Sequence, residues 1–217
     1  PHRASRRARR APHVTRLMLK THRFTERQLD RFRDLQRLSF SILQAEARTL
    51  EPGMIERDVA HRLVQAYRRE GVKSFFHLPV VLFGERTALP GEWPVGKFFP
   101  KKRPLVANES VIFDASPVFD DYFVDTSFSF CLGESEAHRT MMQRLAGFRE
   151  SVPAAVNAGT TFATIAEDVN AQITRFGYEP VHGKHPGAVL GHRATMLPRL
   201  PFVWRAQGFD ALSLAWF

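Results

Sequence analysis

Two stretches of this chain, LEPGMIERDVAHRLVQAYRREGVK from Leu50 and VNAGTTFATIAEDVNAQITRFGYE from Val156, follow one plan at a constant offset of 106 residues. In each, two glycines stand eighteen apart, Gly53 with Gly71 and Gly159 with Gly177; the apolar pair Val59 and Leu63 of the first is matched by Ile165 and Val169 of the second. Apolar residues recurring at three and four predict an amphipathic helix, and a glycine just past the last turn predicts where it stops. Such a helix must bury its apolar stripe against another layer. A unit of helix, Gly turn, helix, Gly and strand that occurs twice therefore predicts two similar halves facing each other in one α+β domain, with a crevice between them for a site.

The remaining elements follow from the same signals. Leu29, Phe32, Leu35, Leu38, Ile42 and Leu43 predict a helix from Thr25 to about Ala47, opened by a capping box of Thr25 and Gln28. The turn Glu51-Pro52-Gly53 leads into the first repeated helix, with Val59, Leu63, Ala66 and Tyr67 on one face. Short strands are expected at Ser74 to Leu78 and Val80 to Phe83, then a long irregular connection rich in Pro, Gly and Lys from Gly84 to Asn108, of the kind that borders a site. One further helix is expected over Glu136 to Asn157.

Composition narrows the function classes. A chain of 217 residues is long enough for one sizeable core. No apolar run reaches the roughly 18 residues of a membrane span, and the arginine-rich start has no apolar stretch after it, so a cytoplasmic protein is the expectation. Cys131 is the single cysteine, which excludes an internal disulfide and a cysteine-built zinc site and predicts a small core residue. The formal charge of +9 points to nucleic acid until it is located: eight of the 31 basic residues precede position 24 with no acid among them, leaving 23 against 22 acidic residues in the remainder. Residues 1–23 are expected to form a basic, disordered leader and residues 24–217 the folded domain, so nucleic-acid binding is not expected beyond the tail.

The chemistry is concentrated in two segments. In VIFDASPVFDDYFVD, Val111 to Asp125, two β-prone runs flank turn chemistry at Pro117 and Asp120-Asp121, which predicts an antiparallel hairpin with Asp114 and Asp125 roughly across from each other. Like charges on neighbouring strands repel and an unpaired buried carboxylate is costly, so the pair calls for a cation. A divalent metal fits, as does a strand-end Asp114 with an arginine partner for Asp125. In EPVHGKHPGAVLGHRA, His182, His185 and His192 cluster in a glycine-rich stretch without helical period. Oxygen and nitrogen donors of this kind suit Mn²⁺, Fe²⁺, Co²⁺ or Zn²⁺. The residues of a serine-hydrolase elbow, a P-loop, a dinucleotide loop and an H-E-x-x-H zinc motif are all missing.

These motifs resemble the pita-bread metallopeptidases, the family of methionine and Xaa-Pro aminopeptidases, prolidases and creatinase. Asp114 and Asp125 are eleven apart and His185 and His192 seven apart, and the L-x-P-G turn at Leu50 to Gly53 and the internal two-fold repeat belong to the same pattern. The resemblance implies a pita-bread α+β fold with an internal pseudo-two-fold repeat and a metal-dependent aminopeptidase acting on peptide N-termini. It also implies two divalent ions in the complete protein and a homodimer. Asp114, Asp125 and His185 would be metal ligands; His192, helped by His182, would orient the substrate carbonyl or stabilise its developing charge. The relatives add two downstream glutamates, whereas Asp210 is the only acid after His192, so a continuation beyond Phe217 is expected to hold them. The alternative is a non-catalytic pita-bread module that binds a peptide or protein partner. Relatives also place a histidine before the strand of the first Asp; the stretch expected to match it here is Leu89-Pro90-Gly91.

Overall fold

The computed structural model describes residues 24–185, 194–196, 205–206 and 209–210. The first helix, α1 (Glu26–Ala47), opens on the expected capping box: the Gln28 amide donates to Thr25 Oγ1 at 3.3 Å and the Thr25 amide donates to Gln28 Oε1 at 2.8 Å. Its buried stripe is Phe32, Leu35, Ser39, Ile42, Leu43 and Glu46. Helix α2 (Glu56–Arg69) buries Val59, Ala60, Leu63 and Tyr67, and its counterpart α5 (Phe162–Arg175) lies 106 residues further on at both ends. The correspondence extends to the closing hydrogen bonds, Val72 N to Tyr67 O and Tyr178 N to Ile173 O, both 3.1 Å. Gly71 at φ +84° and Gly177 at φ +82° occupy the left-handed region that lets the chain reverse there, a conformation costly for a side chain with Cβ.

Strand β1 (Ser74–Phe75) and strand β2 (Val80–Phe83) follow α2. Strand β3 (Ser110–Ala115) is the centre of a three-stranded sheet, antiparallel to β2 on one side and to β6 (Thr126–Cys131) on the other. The expected hairpin forms but is bent across two sheets. Beyond Ser116 the chain enters β4 (Pro117–Phe119), turns at Asp120, which takes φ +55°, and returns in β5 (Tyr122–Phe123). These two strands belong to a second sheet, ordered β1-β4-β5-β7, whose β7 is Thr195–Met196. The bend corrects the expected register: Asp114 pairs with Ser127, so Asp125 sits diagonally, two residues along on the neighbouring strand line. A two-residue offset keeps both carboxylates within reach of one face.

The single helix expected over Glu136–Asn157 is two, α3 (Glu136–Ala146) and α4 (Phe148–Asn157). Gly147 joins them and Pro153 lies inside α4; a glycine is a poor helix former, which favours the interruption at Gly147. Two further strands, β8 (Arg205–Ala206) and β9 (Phe209–Asp210), pair antiparallel.

Alternation along β3 separates two environments. Val111, Phe113 and Ala115 are fully buried in the main core with Leu35, Leu43, Val59, Leu63, Tyr67 and Phe83. Ile112 and Asp114 face the other way, opposite Leu82 and Val80 of β2. That face is covered by the connection between β2 and β3, which contains 3-10 turns at Gly84–Ala88 and Val95–Lys97 and builds a small second core of Leu82, Leu89 and Trp93 with Val80, Phe98, Ile112 and Val181 packed on it. The connection is tied to α2 by Glu56, whose carboxylate is fully buried. Glu56 Oε1 accepts from the Phe83 amide at 2.8 Å and from Arg86 Nε at 3.0 Å, and Oε2 accepts from the Lys101 amide at 2.9 Å. Replacing Glu56 by Ala would leave Arg86, itself mostly buried, and two amides without their acceptor, so a loss of about 3–5 kcal/mol is expected. Urea unfolding of E56A against the parent protein measures it.

Candidate metal centre

The site lies where the two sheets part. Asp114 is the penultimate residue of β3, Ser116 is the break between β3 and β4, and Asp125 is the break between β5 and β6. Helix α1 fixes this point from below. Gln36 Nε2 donates to the Asp125 carbonyl at 2.6 Å, and Ser39, one turn along, lies 2.6 Å from Thr126 Oγ1. Thr126 Oγ1 donates to the Ala115 carbonyl at 3.2 Å, and the Tyr67 hydroxyl is 2.9 Å from Ser39 Oγ. With one proton per hydroxyl, a consistent assignment runs from Tyr67 to Ser39 to Thr126 to the Ala115 carbonyl, and the Tyr67 hydroxyl also reaches the Ser39 carbonyl at 3.3 Å. The chain is buried throughout, and burial pushes the Tyr67 phenol up to about 12.

A residue outside the two predicted segments completes the group. Among the described residues, His77, Asp114 and Asp125 each offer a ligand atom, and the three atoms lie within 4.8 Å of one another. His77 Nε2 is 3.6 Å from Asp114 Oδ2, and Ser116 Oγ bridges 2.6 Å to Asp125 Oδ1 and 2.7 Å to His77 Nε2. The Leu78 carbonyl, 3.0 Å from His77 Nδ1, can only accept, so Nδ1 carries a proton and Nε2 is the nitrogen turned to the carboxylates. Burial, the largest effect, pushes the Asp114 carboxyl up to about 6; His77 pulls it down and the neighbouring Asp125 charge pushes it up. Two close carboxylates and an imidazole, half-buried, form a donor set that a divalent cation satisfies in charge and in chemistry.

No histidine stands at Leu89-Pro90-Gly91; among the described residues the one that comes beside Asp114 is His77, twelve residues before Leu89, between β1 and β2. The long connection separates it from β3 in sequence while the β2–β3 pairing keeps it beside Asp114 in space. Its signal was the motif FFHLP, a histidine two residues before a proline between two short strands. His182 opens a 3-10 turn, His182–Lys184, and His185 follows it with its ring 5.0 Å from that of Phe98. His185 stands outside the group of three, held near the connection by Lys184, whose Nζ donates to the Leu89 carbonyl at 2.7 Å. His192 lies outside the described residues; Thr195, three positions on, pairs with Phe123 two residues before Asp125. Cys131 is a half-buried free thiol at the end of β6, and burial raises its pKa.

The model of metallopeptidase family M24 matches residues 30–209. The chain belongs to metallopeptidase family M24. It is 24% identical over 167 residues to an uncharacterized peptidase of Staphylococcus haemolyticus, a match that covers 76% of the chain and 46% of that relative. An uncharacterized peptidase of Staphylococcus aureus is 26% identical over 110 residues, 51% of the chain and 30% of the relative. The chain thus spans about half or less of the curated relatives it matches. Among solved structures, the X-Pro aminopeptidase of Thermotoga maritima superposes with a TM-score of 0.51 at 18% identity, covering 58% of the chain and 35% of that protein. The prolidase of Pyrococcus horikoshii gives 0.51 at 15%, with the same coverage. The fold is the pita-bread α+β fold of M24 enzymes, and the 106-residue correspondence of α2 and α5 is its internal repeat. No described helix is long and apolar enough to cross a membrane.

The carboxyl of Asp114 binds its proton more tightly folded, at about 6, than in the unfolded chain, at 3.8. Its contribution to stability is therefore full below about pH 4 and is lost as pH rises through about 6. Two full pKa units correspond to about 3 kcal/mol; with the side chain 32% exposed, solvent screening reduces the expectation to the order of 1 kcal/mol. In the presence of a chelator, Asp114→Asn should accordingly gain on the parent protein between about pH 4 and pH 7, as read by urea unfolding at both values.

Proposed function

We propose that the protein is a divalent-metal-dependent peptidase that removes residues from peptide N-termini, of the aminopeptidase and prolidase type. The observation that carries this reading is the approach of His77, Asp114 and Asp125 to within 4.8 Å at the junction of the two sheets, in a chain of family M24. Asp114 and Asp125 are the proposed ligands, with His185 as the third that the family resemblance implies. A bound divalent ion supplies Lewis acidity that brings the pKa of a water toward neutrality. Burial on the enclosed side of β3 limits competing water and strengthens electrostatic contacts made there. His77 presents Nε2 beside both carboxylates and is proposed to hydrogen-bond the substrate carbonyl as charge develops on its oxygen. His192, with His182, is proposed to meet the same oxygen. The proposed substrate is a peptide with a free N-terminus. Xaa-Pro specificity belongs to the structural neighbours and is a proposal for this chain.

The test uses the intact protein dialysed against Mn²⁺, with metal measured by elemental analysis and turnover on short peptides including Xaa-Pro sequences. Asp125→Asn should lose bound metal and activity together. His77→Ala should keep the metal and lose about 10²- to 10³-fold in kcat, the effect typical of removing one donor to a developing oxyanion. Loss of metal in H77A would make His77 a ligand instead. A parent protein that binds no metal but retains peptides would return the reading to a binding module.

A further inference from the structure

Ser116 has no side-chain role in the reading above, yet it is the residue that touches the group at two points. It is fully buried, with no accessible surface. Its backbone sits at the break between β3 and β4, and its carbonyl accepts from the Phe76 amide at 2.8 Å, which brings the segment carrying His77 against the end of β3. Its hydroxyl donates to Asp125 Oδ1 at 2.6 Å and lies 2.7 Å from His77 Nε2. A hydroxyl has one proton and two lone pairs, and a carboxylate oxygen can only accept. The proton therefore fixes the Asp125 carboxylate through Oδ1. With that proton committed, Ser116 Oγ accepts from His77 Nε2–H while Nδ1–H donates to Leu78 O, so the ring, as the imidazolium, is held at both ends.

We propose that Ser116 is a positioning residue of the metal centre: its buried hydroxyl sets the rotation of the Asp125 carboxylate and the plane of the His77 ring, so that both face one point beside Asp114. The inference rests on the metal-site reading of the preceding subsection. Outer groups that orient metal ligands typically contribute about 10- to 100-fold in metal affinity, and a hydroxyl bonded to two members of one group is placed to do this. Nothing about the β3–β4 junction requires a hydroxyl for folding alone, since the backbone of Ser116 already makes the bond to Phe76.

The test is a Co²⁺ titration of the intact protein followed by its visible absorption, with affinity from calorimetry. The parent protein, Ser116→Ala, Ser116→Thr and Ser74→Ala are compared, Ser74 being a buried strand serine on β1 outside the group. S116A is expected to bind Co²⁺ about 10- to 100-fold more weakly, with an altered absorption band. S116T, which restores the hydroxyl, is expected to recover the parent band, and S74A to match the parent in both readouts. Should circular dichroism show S116A unfolded, Ser116→Cys keeps the bulk with a weaker donor and carries the same comparison. An S116A or S116C protein with the parent's affinity and spectrum overturns the role of Ser116 and leaves the metal-site reading standing. A parent protein that takes up no Co²⁺ overturns both.

Discussion

The buried chain of hydroxyls from Tyr67 through Ser39 and Thr126 to the Ala115 carbonyl is the constraint on which the site depends. It links α2, α1, β6 and β3 at the level where the two sheets separate. A polar group buried without a partner costs on the order of 1–3 kcal/mol, so each member of the chain disfavours any register in which the next one is missing. A one-residue slip of β6 against β3 would turn Thr126 to the other face and leave Ser39 and the Ala115 carbonyl unsatisfied together. The same slip would move Asp125 away from Asp114. The register of the strands that carry the carboxylates is thus specified by polar contacts on their core side, while on the site side Ser116 bonds the Asp125 side chain itself.

This explains what a single chain discloses before its structure is known. The repeat was legible because each copy is local: the apolar spacing of α2 and α5, and the glycines that end them, require no knowledge of distant residues. The aspartates were legible for the same reason, being eleven apart on one hairpin. Their register was not, because it depends on the bend at Ser116, where Pro117 moves the strand into a second sheet and the return strand leaves that sheet only at Val124. The expected hairpin assumed a flat pair. His77 was hidden by the connection between β2 and β3, which places 36 residues between it and Asp114 while the strand pairing closes the gap in space. Ser39 was hidden differently. A serine within an apolar helical stripe resembles an interruption, and only the neighbouring hydroxyls on α2 and β6 show why it is buried.

The connection from Gly84 to Asn108 has a physical task that its irregular composition conceals. The face of β3 that carries Asp114 also carries Ile112, and on β2 it carries Val80 and Leu82. Left open, this would be an apolar patch beside a pair of acids. Leu89, Trp93 and Phe98 cover the apolar part, Arg86 and Lys97 lie over the Trp93 ring at 5.4 Å, and Glu56 anchors the return of the chain. The cover also packs Val181 and meets His185 through Phe98. Histidines from a glycine-rich segment with no helical or strand period of its own are thereby held against a rigid surface. Loop residues gain a defined position by packing on the elements around them.

Placing two acids at this junction works against the fold, since neither desolvation nor their mutual repulsion is relieved by the apolar core behind them. The upward shift of the Asp114 carboxyl to about 6 is the measure of that opposition. A structural ion pair would have relieved it with an arginine, as Arg86 does for Glu56. Here a neutral hydroxyl and an imidazole come to the carboxylates. Both are groups that orient a carboxylate. The buried Glu56 and the half-buried Asp114 therefore mark opposite uses of the same cost. Glu56 is fully bonded and holds a loop in place. Asp114 keeps its unfavourable charge, in a position where a divalent ion would convert the local destabilisation into binding free energy.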